Sequence, residues 1–332
     1  NIDLVVEKSP IRCFHDSQYQ ELGIKLVDDV SDCDVLFGVK EVPIENLIAN
    51  KTYFYFSHTI KKQLYNRKLL FSMLEKNIRM VDYETLCDST NKRLIGFGRY
   101  AGIVGCYNGF LTYGLRTKKY DLKAAHQCFD RKELNKELKK IRLDNPKIIL
   151  TGTGRVGEGA LEILKLLAIK QVSPSSFLND SFDFPVFTVL DSLDYNQRID
   201  KKESTLSDFY TNPSQYESTF VNYASVADIF IAGHYFGNGS PFLFTREDAK
   251  LEDFNLKVVA DISCDIDGPV ASTIRPSTIV DPIYGYNPIS ETEDSFLKEG
   301  NIAVMAVDNL PCELPRDASE YFGNELSEKI LP

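Results

Sequence analysis

The sequence predicts an α/β protein built from two Rossmann-like, doubly wound domains with a cleft between them. Short apolar runs alternate with helical patterns in the first third of the chain, where the runs fall at 35–39, 53–56 and 78–81. Further apolar runs at 226–232 and 258–262 follow a glycine-rich turn. Strands that alternate with helices are typical of parallel sheets covered by helices.

The length allows two domains of ordinary size, each with its own core. We expect residues 1–97 plus 306–332 to form a substrate and catalytic domain. Residues 98–305 are expected to form a dinucleotide-binding domain with an insertion around 173–223, because that stretch is polar and aromatic with few helical signals.

Five further elements are expected from local patterns. In the first domain these are strands at 2–6 and 94–97 and a helix at 61–76, where apolar residues recur at helical spacing. In the second domain, glycines within 103–113 indicate a helix that packs tightly against another element. The amphipathic stretch 316–331 is expected to pack on the first domain.

Composition limits the classes of partner. The chain has 332 residues and a formal net charge of −10, without a block of lysines or arginines. A polyanion such as nucleic acid would be repelled on average, so small molecules fit better. The apolar stretch 103–113 is too short to span a membrane. We therefore expect neither a nucleic-acid nor a membrane partner, and the oligomeric state stays open.

The seven cysteines are scattered along the chain without a CxxC pair. This usage is typical of reduced thiols in a cytosol and offers no zinc site. We therefore expect a cytoplasmic protein without a bound metal.

A glycine-rich turn carries the strongest functional signal. The sequence TGTGRVGEG at 151–159 follows the apolar run 148–150 and opens an apolar-periodic stretch. In this setting Gly152 permits a tight turn, Gly154 lets backbone approach a pyrophosphate, and Gly157 lets the helix pack on the strand. The pattern predicts an NAD or NADP site. The turn residues expected to bind the coenzyme are Gly152, Gly154, Arg155, Val156 and Gly157.

The choice of coenzyme depends on a residue about 20 positions past the first glycine, where a carboxylate selects a free ribose 2′-hydroxyl. That count reaches Ser173, and no carboxylate occurs there. Ser173 is suited to accept a 2′-phosphate, so the sequence favours NADP. Asp191 also follows a strand-like run, but it comes 39 residues after Gly152, which suits the insertion better.

Ionisable residues follow three apolar runs of the first domain, at Lys40, His58 and Glu84. The carboxyl ends of parallel strands face the ligand crevice of an open sheet, so these side chains are predicted to converge on one site. Each residue alone is more often a solvated or structural group, and Glu84 is also suited to start a helix. Their shared position after strands, in a chain with a separate dinucleotide site, favours a catalytic role.

Eight sequence strings resemble the saccharopine dehydrogenases, in the family's order and over nearly the whole chain. They are VLFGVKEVP, YFYFSHTIKKQ, RMVDYETL, RLIGFGRYAG, GTGRVGEGA, GSPFLFTREDA, VVADISCDIDGP and AVDNLPCELPRDASEYFG. The strings are similar to the lysine-forming fungal enzymes and, more closely, to the lysine-2-oxoglutarate reductase half of the bifunctional animal enzyme. More distantly, the architecture resembles alanine dehydrogenase.

The resemblance implies an NAD(P)-dependent oxidoreductase of lysine metabolism. In that reaction the ε-amine of lysine and the ketone of 2-oxoglutarate form an imine, which NAD(P)H reduces to saccharopine, or the reverse. The resemblance implies that Lys40 is the acid and base on the secondary amine. It also implies that His58 handles the protons of water and the carbinolamine.

The resemblance implies roles for other residues as well. The charged supporting neighbours are Glu41, Lys61 and Glu84. The expected substrate-binding residues are Gln63, Arg93, Phe97, Ser263, Cys264 and Asp265. Besides the glycine turn and Ser173, the expected coenzyme-binding residues are Ile262, Val307, Asp308, Asn309 and Leu310.

Family members begin with a strand and loop that carry an arginine for a substrate carboxylate, and the sequence starts after that point, so we expect an upstream segment. Two alternatives remain. An alanine-dehydrogenase-like reaction on a small 2-oxo acid and ammonia is disfavoured by the stretch 173–223 and by GSPFLFTREDA. A nucleotide-binding regulatory protein without turnover is disfavoured by Lys40 and His58.

Overall fold

The computed structural model describes residues 3–237 and 239–331. The chain divides into two compact units, one formed by Asn1–Gly96 with Ser319–Pro332 and the other by Phe97–Ala318. The C-terminal return to the first unit therefore starts later than the expected residue 306. The reason is that the buried apolar strand Ile302–Met305 belongs to the sheet of the second unit.

The first unit is built from short parallel strands and helices. Its elements are β1 (Val5–Glu7), α1 (Asp16–Glu21), β2 (Lys25–Val27), β3 (Val35–Lys40), β4 (Thr52–Phe56), α2 (Arg67–Glu75) and β5 (Arg79–Asp82). Strand β1 pairs with β2, and β3, β4 and β5 form a parallel sheet in that order. Tyr53 and Tyr55 of β4 share a buried cluster with Leu69 and Met73 of α2, so the helix covers one face of this sheet.

The second unit holds a larger sheet. Its strands are β6 (Lys147–Thr151), β7 (Lys170–Gln171), β8 (Val186–Leu190), β9 (Asn196–Arg198), β10 (Tyr216–Ser218), β11 (Ile229–Ala232), β12 (Val258–Asp261), β13 (Ile283–Asn287), β14 (Thr292–Asp294) and β15 (Ile302–Met305). Within the described residues the sheet order is β14-β13-β15-β12-β11-β6-β8-β7. The strands from β15 to β7 pair in parallel, β13 and β14 add an antiparallel edge, and β9 pairs with β10 separately.

The helices of this part of the chain are α3 (Gly98–Thr117), α4 (Arg131–Leu138), α5 (Arg155–Leu166), α6 (Pro174–Asn179), α7 (Leu206–Thr211), α8 (Val221–Ala224) and α9 (Pro315–Lys329). Helix α9 begins in the second unit and ends in the first. No helix in residues 3–237 and 239–331 is long and apolar enough to cross a membrane.

The strand order of the large sheet reverses beside β6. The chain runs from β6 to β7 and β8 on one side, and then to β11, β12 and β15 on the other. The last residues of β6 and β11, Thr151 and Ala232, are paired neighbours. In open parallel sheets, ligands bind at the carboxyl ends of strands where the order reverses. This edge is therefore the expected place for a dinucleotide.

Close glycine contacts join α3 to its neighbours. A Cβ at Gly102 would lie 1.9 Å from the Val156 carbonyl oxygen, and one at Gly159 would lie 2.0 Å from the Arg99 carbonyl oxygen. Only glycine allows the α3 and α5 backbones to approach this closely. The tightly packed helix predicted at 103–113 is confirmed.

The predicted α/β class is confirmed, and most predicted elements form near their expected positions. Strands β3, β4 and β5 and helix α9 agree with the sequence within a few residues. Strand β1 begins within the run predicted at 2–6 and ends one residue after it, at Glu7. Ile2 lies outside the described residues. The cleft expected between the domains stays a prediction.

Three local predictions are wrong, each because of a backbone feature. Residues 94–97 form no strand, because the antiparallel pairing of this segment is limited to an isolated bridge between Cys87 and Arg93. The helix expected from residue 61 begins only at Arg67, because Lys62 takes a left-handed conformation. The stretch 173–223 is not wholly an insertion, since it contains β8, which pairs with β6 along its length.

Candidate active site

Loops after three strands of the first unit bring together the main ionisable residues. Lys40 ends β3, His58 follows β4 by two residues, and Glu84 follows β5 by two residues. Lys40 pairs in register with Phe56 at the end of β4, so the strand ends lie side by side. Parallel pairing thus collects residues that are far apart in sequence.

The three side chains form a continuous chain of contacts. His58 Nδ1 lies 3.1 Å from Glu84 Oε2, and His58 Nε2 lies 3.5 Å from Lys40 Nζ. A carboxylate only accepts hydrogen bonds, so Nδ1 donates to Glu84 and Nε2 is the acceptor that faces Lys40. The arrangement suits transfer of protons between Lys40, His58 and a bound substrate.

Glu84 also holds two further cations. Its Oε1 lies 3.8 Å from Lys61 Nζ and 3.5 Å from Arg93 Nη2. The Glu84 side chain is only 6% exposed, whereas those of Lys61 and Arg93 are about half exposed. A buried carboxylate thus anchors two half-exposed cations. Such cations are suited to bind carboxylates of a ligand.

The backbone at His58 is unusual. Its φ is 55°, in the left-handed region, and Lys62 four residues later has a φ of 54°. A short 3-10 turn, Thr59–Lys61, lies between them. Non-glycine residues rarely take this conformation and cluster at functional sites, because surrounding contacts must hold it in place.

Three other predicted residues are less involved in this cluster. Glu41 follows Lys40 and is exposed. Gln63 is exposed, and its Oε1 accepts a hydrogen bond of 2.6 Å from the Tyr65 hydroxyl. Phe97 groups with the second unit, where it precedes α3.

The glycine turn of the second unit has the geometry that its sequence predicts. Gly152 has a φ of +91°, and a Cβ there would lie 2.3 Å from the Gly233 carbonyl oxygen. A Cβ at Gly157 would lie 1.9 Å from the Gly152 carbonyl oxygen, so helix and turn pack backbone to backbone. A Cβ at Gly154 would meet nothing within 4 Å. Gly154 is the N-terminal cap residue of α5 and borders open space there.

The loop after β12 contains the predicted residues Ile262, Ser263, Cys264 and Asp265. A carboxylate that the sequence analysis did not select, Asp261, organises it. Asp261 is 0% exposed and accepts hydrogen bonds from Ser263 Oγ, the Cys264 amide and Thr273 Oγ1. Burial raises the pKa of the Asp261 carboxyl group. The sequence feature that could have identified Asp261 is its position as the last residue of a buried strand.

The loop after β12 contacts the segment after β15. The Cys264 thiol lies 3.0 Å from the Ala306 carbonyl oxygen, and burial raises the pKa of this thiol to about 12. Side chains of Ile262 and Leu310 both lie close to Gly105 of α3. Val307 and Leu310 are buried, and Asp308 and Asn309 between them are exposed. The structure therefore brings the predicted residues of these two loops together.

Ser173 does not lie where the count of residues implied. It follows β7, which is separated from β6 by β8, and its Oγ caps α6 by accepting a bond from the Ser176 amide. Asp191 directly follows β8, the strand that pairs with β6. The coenzyme-selecting carboxylate of Rossmann folds is expected after the strand next to the glycine turn. The structure therefore favours Asp191 over Ser173.

His234, which the sequence analysis did not select, follows β11 beside the glycine turn. Its Nδ1 lies 2.9 Å from Thr151 Oγ1, and burial lowers its pKa to about 4. The imidazole is therefore neutral at physiological pH. Its Nε2 and the Oδ1 of Asn196 have no hydrogen-bond partner among the described residues, and both side chains line one small cavity. Within residues 3–237 and 239–331, no group of three or more His, Cys, Asp or Glu residues could hold a metal ion.

The fold and its relatives agree with the resemblance seen in the sequence. The family model "Alanine dehydrogenase/PNT, N-terminal domain" matches residues 1–104. A solved L-alanine dehydrogenase superposes with a TM-score of 0.57 at 15% identity, covering 96% of this chain and 77% of that one. At this identity the likeness establishes an alanine dehydrogenase-like fold.

Curated relatives match nearly the whole chain. An alpha-aminoadipic semialdehyde synthase of Arabidopsis thaliana is 29% identical over 98% of this chain and 34% of the relative. Its mitochondrial counterpart in Mus musculus is 29% identical over 97% of this chain and 39% of the relative. A saccharopine dehydrogenase [NAD(+), L-lysine-forming] of Yarrowia lipolytica is 25% identical over 99% of this chain and 82% of the relative.

These matches confirm the resemblance to the saccharopine dehydrogenases. The chain spans only 34% and 39% of the length of the first two relatives. The relative from Yarrowia lipolytica is itself named for NAD(+) and for the formation of L-lysine.

Proposed function

We propose that this chain interconverts L-lysine, 2-oxoglutarate and a reduced nicotinamide coenzyme with saccharopine and the oxidised coenzyme. The observation that carries this proposal is the contact chain from Lys40 through His58 to Glu84, in a chain that also holds a dinucleotide-type glycine turn. The similarity to lysine-forming saccharopine dehydrogenases supplies the substrate class.

His58 is suited to the formation of the imine. With Nδ1 donating to Glu84, its Nε2 accepts the proton that the attacking amine loses as the carbinolamine forms. The carbonyl oxygen needs two protons before it leaves as water. The proton that Nε2 took from the amine completes the carbinolamine hydroxyl, and a second proton, from the ammonium of Lys40 at 3.5 Å from Nε2, lets that hydroxyl leave while the protonated C=N bond forms. Nε2 is then neutral again, and Lys40 regains its proton from the ammonium form of the next amine substrate.

The cations around Glu84 are suited to the anionic substrates. 2-Oxoglutarate and saccharopine both carry several carboxylates, and the chain's net charge of −10 would otherwise oppose their approach. Arg93 offers a planar set of N–H donors for a carboxylate, and Lys61 offers a point charge. Glu84 holds both cations without neutralising the whole cluster, because Lys40 adds a further positive charge.

The glycine turn fits a nicotinamide dinucleotide. Gly154 borders open space at the start of α5, whereas Cβ atoms at Gly152 and Gly157 would meet backbone. A pyrophosphate placed against Gly154 would accept bonds from the first amides of α5. When bound, the coenzyme supplies the hydride that reduces the imine carbon.

We propose that the preferred coenzyme is NADH, which differs from the NADP favoured by the residue count. Asp191 follows the strand that pairs with β6, and a carboxylate there would bond the ribose 2′-hydroxyl and repel a 2′-phosphate. The relative from Yarrowia lipolytica is also named for NAD(+).

The proposal is tested by the change in absorbance of the reduced coenzyme at 340 nm with three substrate sets. Lysine plus 2-oxoglutarate should give turnover, and pyruvate plus ammonia, the pair expected for an alanine dehydrogenase, should not. Saccharopine with NAD⁺ should run the reverse reaction. Turnover with pyruvate and ammonia alone would replace the proposal with the alanine dehydrogenase alternative. Coenzyme binding without turnover in any set would favour the regulatory alternative.

A further inference from the structure

Two buried polar residues lie within two positions of members of the ionisable cluster. Ser57 precedes His58 and is 0% exposed, and Asp82 lies two residues before Glu84 and is 8% exposed. A buried carboxylate is costly unless hydrogen bonds satisfy it. The hydrogen-bond partners of the buried Asp82 carboxylate therefore indicate its structural role.

Asp82 joins the two loops that carry His58 and Glu84. Its Oδ2 accepts a hydrogen bond of 2.5 Å from Ser57 Oγ, and its Oδ1 accepts one of 2.8 Å from the Glu84 amide. One carboxylate thus ties the loop after β4 to the loop after β5.

Ser57 extends this connection around His58. Its Oγ accepts a hydrogen bond from the Thr59 amide at 3.2 Å and lies 2.8 Å from Thr59 Oγ1. Because the single Ser57 proton goes to Asp82, Thr59 donates in the second of these bonds as well. The residues on both sides of His58 are thereby fixed, and His58 itself has the left-handed φ of 55°.

Aromatic packing supports the same strand ends. The rings of Phe56 and Tyr83 lie 5.2 Å apart, and Phe322 of α9 contacts both, at 6.0 and 5.3 Å between ring centres. These contacts are apolar and do not choose a backbone conformation for His58. Hydrogen bonds bear on that conformation: those of Ser57 and Asp82, and those that the His58 carbonyl oxygen accepts from the Lys61 amide at 3.1 Å and from Asn66 Nδ2 at 3.4 Å.

We propose that Asp82 is a positioning residue for the His58–Glu84 pair. Through its hydrogen bond with Ser57, Asp82 holds His58 in the left-handed conformation. Through its hydrogen bond with the Glu84 amide, it positions the Glu84 carboxylate that accepts a hydrogen bond from His58 Nδ1. The two connections together set the tautomer that leaves Nε2 open toward Lys40. The expected effect on turnover rests on the proposed function, whereas the expected effect on the imidazole does not.

The direct test is a pH titration of the imidazole signals by ¹⁵N NMR on the whole chain. The sequence has four histidines, so the His58→Gln variant assigns the His58 signals. In the unsubstituted protein the neutral His58 ring should carry its proton on Nδ1. Asp82→Asn and Ser57→Ala should both shift the tautomer equilibrium of His58. Ser57→Ala keeps the test available if Asp82→Asn fails to fold.

A matched control is Asp29→Asn. Asp29 also accepts bonds from a serine hydroxyl and a backbone amide, both of Ser31, but it is exposed and has no contact with His58. This variant should leave the His58 signals unchanged. Unchanged His58 signals in folded Asp82→Asn and Ser57→Ala would overturn the inference.

Kinetics provide a second readout. Asp82→Asn should lower kcat about tenfold, the scale of a misplaced acid–base pair, with an unchanged Kd for the coenzyme. In a His58→Ala background the same change should have little further effect, because residues that act through one another are not additive. Fully additive losses would contradict a positioning role. If the unsubstituted protein lacks lysine turnover but its imidazole responds as expected, the proposed function fails and the positioning inference stands.

Discussion

The glycine turn of the second unit and the ionisable cluster of the first differ in how much of each is local in the chain. Gly152, Gly154 and Gly157 lie within a single turn, so one short motif encodes both the residues and their geometry. Lys40 lies 18 residues from His58, and His58 lies 26 residues from Glu84. The cluster exists only because three parallel strands end side by side.

The difference has consequences for substitution. Cβ atoms at Gly152 and Gly157 would meet backbone, whereas Gly154 borders open space, so replacing Gly154 should affect ligand binding and not packing. The side chains of the cluster share partners, since Glu84 contacts His58, Lys61 and Arg93. Changes there should therefore be coupled to one another, and the two regions should fail in separable ways.

The largest expected effect is in the cluster. Lys40→Met should lower kcat for lysine and 2-oxoglutarate about 100-fold or more, because a positioned proton donor is lost, while the coenzyme Kd is kept. Steady-state kinetics and coenzyme titration measure the two quantities. Lys68→Met, at an exposed position of α2, is the control and should change neither. Near-normal turnover by folded Lys40→Met would remove Lys40 from the chemistry.

The next largest effect is in the turn. Gly154→Val should weaken coenzyme binding more than about tenfold with the fold intact, because the added side chain enters the open space where a pyrophosphate would approach. Gly152→Ala should instead lower the unfolding temperature, since its Cβ would meet the Gly233 carbonyl oxygen at 2.3 Å.

Gly323→Val controls for the β-branched side chain, as Gly323 also borders open space but lies in the first unit. Calorimetry measures the coenzyme Kd, which only Gly154→Val should change. Thermal unfolding measures stability, which Gly152→Ala should lower. An unchanged coenzyme Kd in Gly154→Val would place the dinucleotide elsewhere.

A smaller effect concerns the choice of coenzyme. Asp191→Ser should reduce the preference for NADH over NADPH by about tenfold, the scale of one hydrogen bond to a charged group. The ratio of kcat/KM values with the two coenzymes measures this preference. Asp183→Ser, an exposed aspartate just before β8, should not change the ratio. A protein that already prefers NADPH would restore Ser173 as the selecting residue.

The smallest effect is a pH dependence of stability in the second unit. Burial raises the pKa of Glu313 to about 7, and the Asn108 side chain donates to its carboxyl group at 2.8 Å. The folded state holds this proton more tightly than the unfolded state, so the free energy of unfolding falls as pH rises from about 4.5 toward 7 and beyond, until the group is ionised.

Between pH 6 and 8 the loss should be about 1 kcal/mol. Glu313→Gln should remove it, as measured by urea unfolding at both pH values. An unchanged pH dependence in that variant would mean that Glu313 does not change its ionisation between pH 6 and 8.

The sequence by itself determined the fold class, the glycine turn and the strand-terminal positions of Lys40, His58 and Glu84. These features depend on local spacing, because apolar periodicity and glycine placement act within a few residues. Strands β3, β4 and β5 and helix α9 could be located for the same reason.

Only the tertiary structure decided which strand lies next to β6, and therefore that Asp191 and not Ser173 follows it. It also decided that Asp82 and Ser57 join the loops of Glu84 and His58. Strand order and buried hydrogen bonds connect residues that are distant in the chain. A count along the sequence gives chain separation, but pairing of strands sets distance in space.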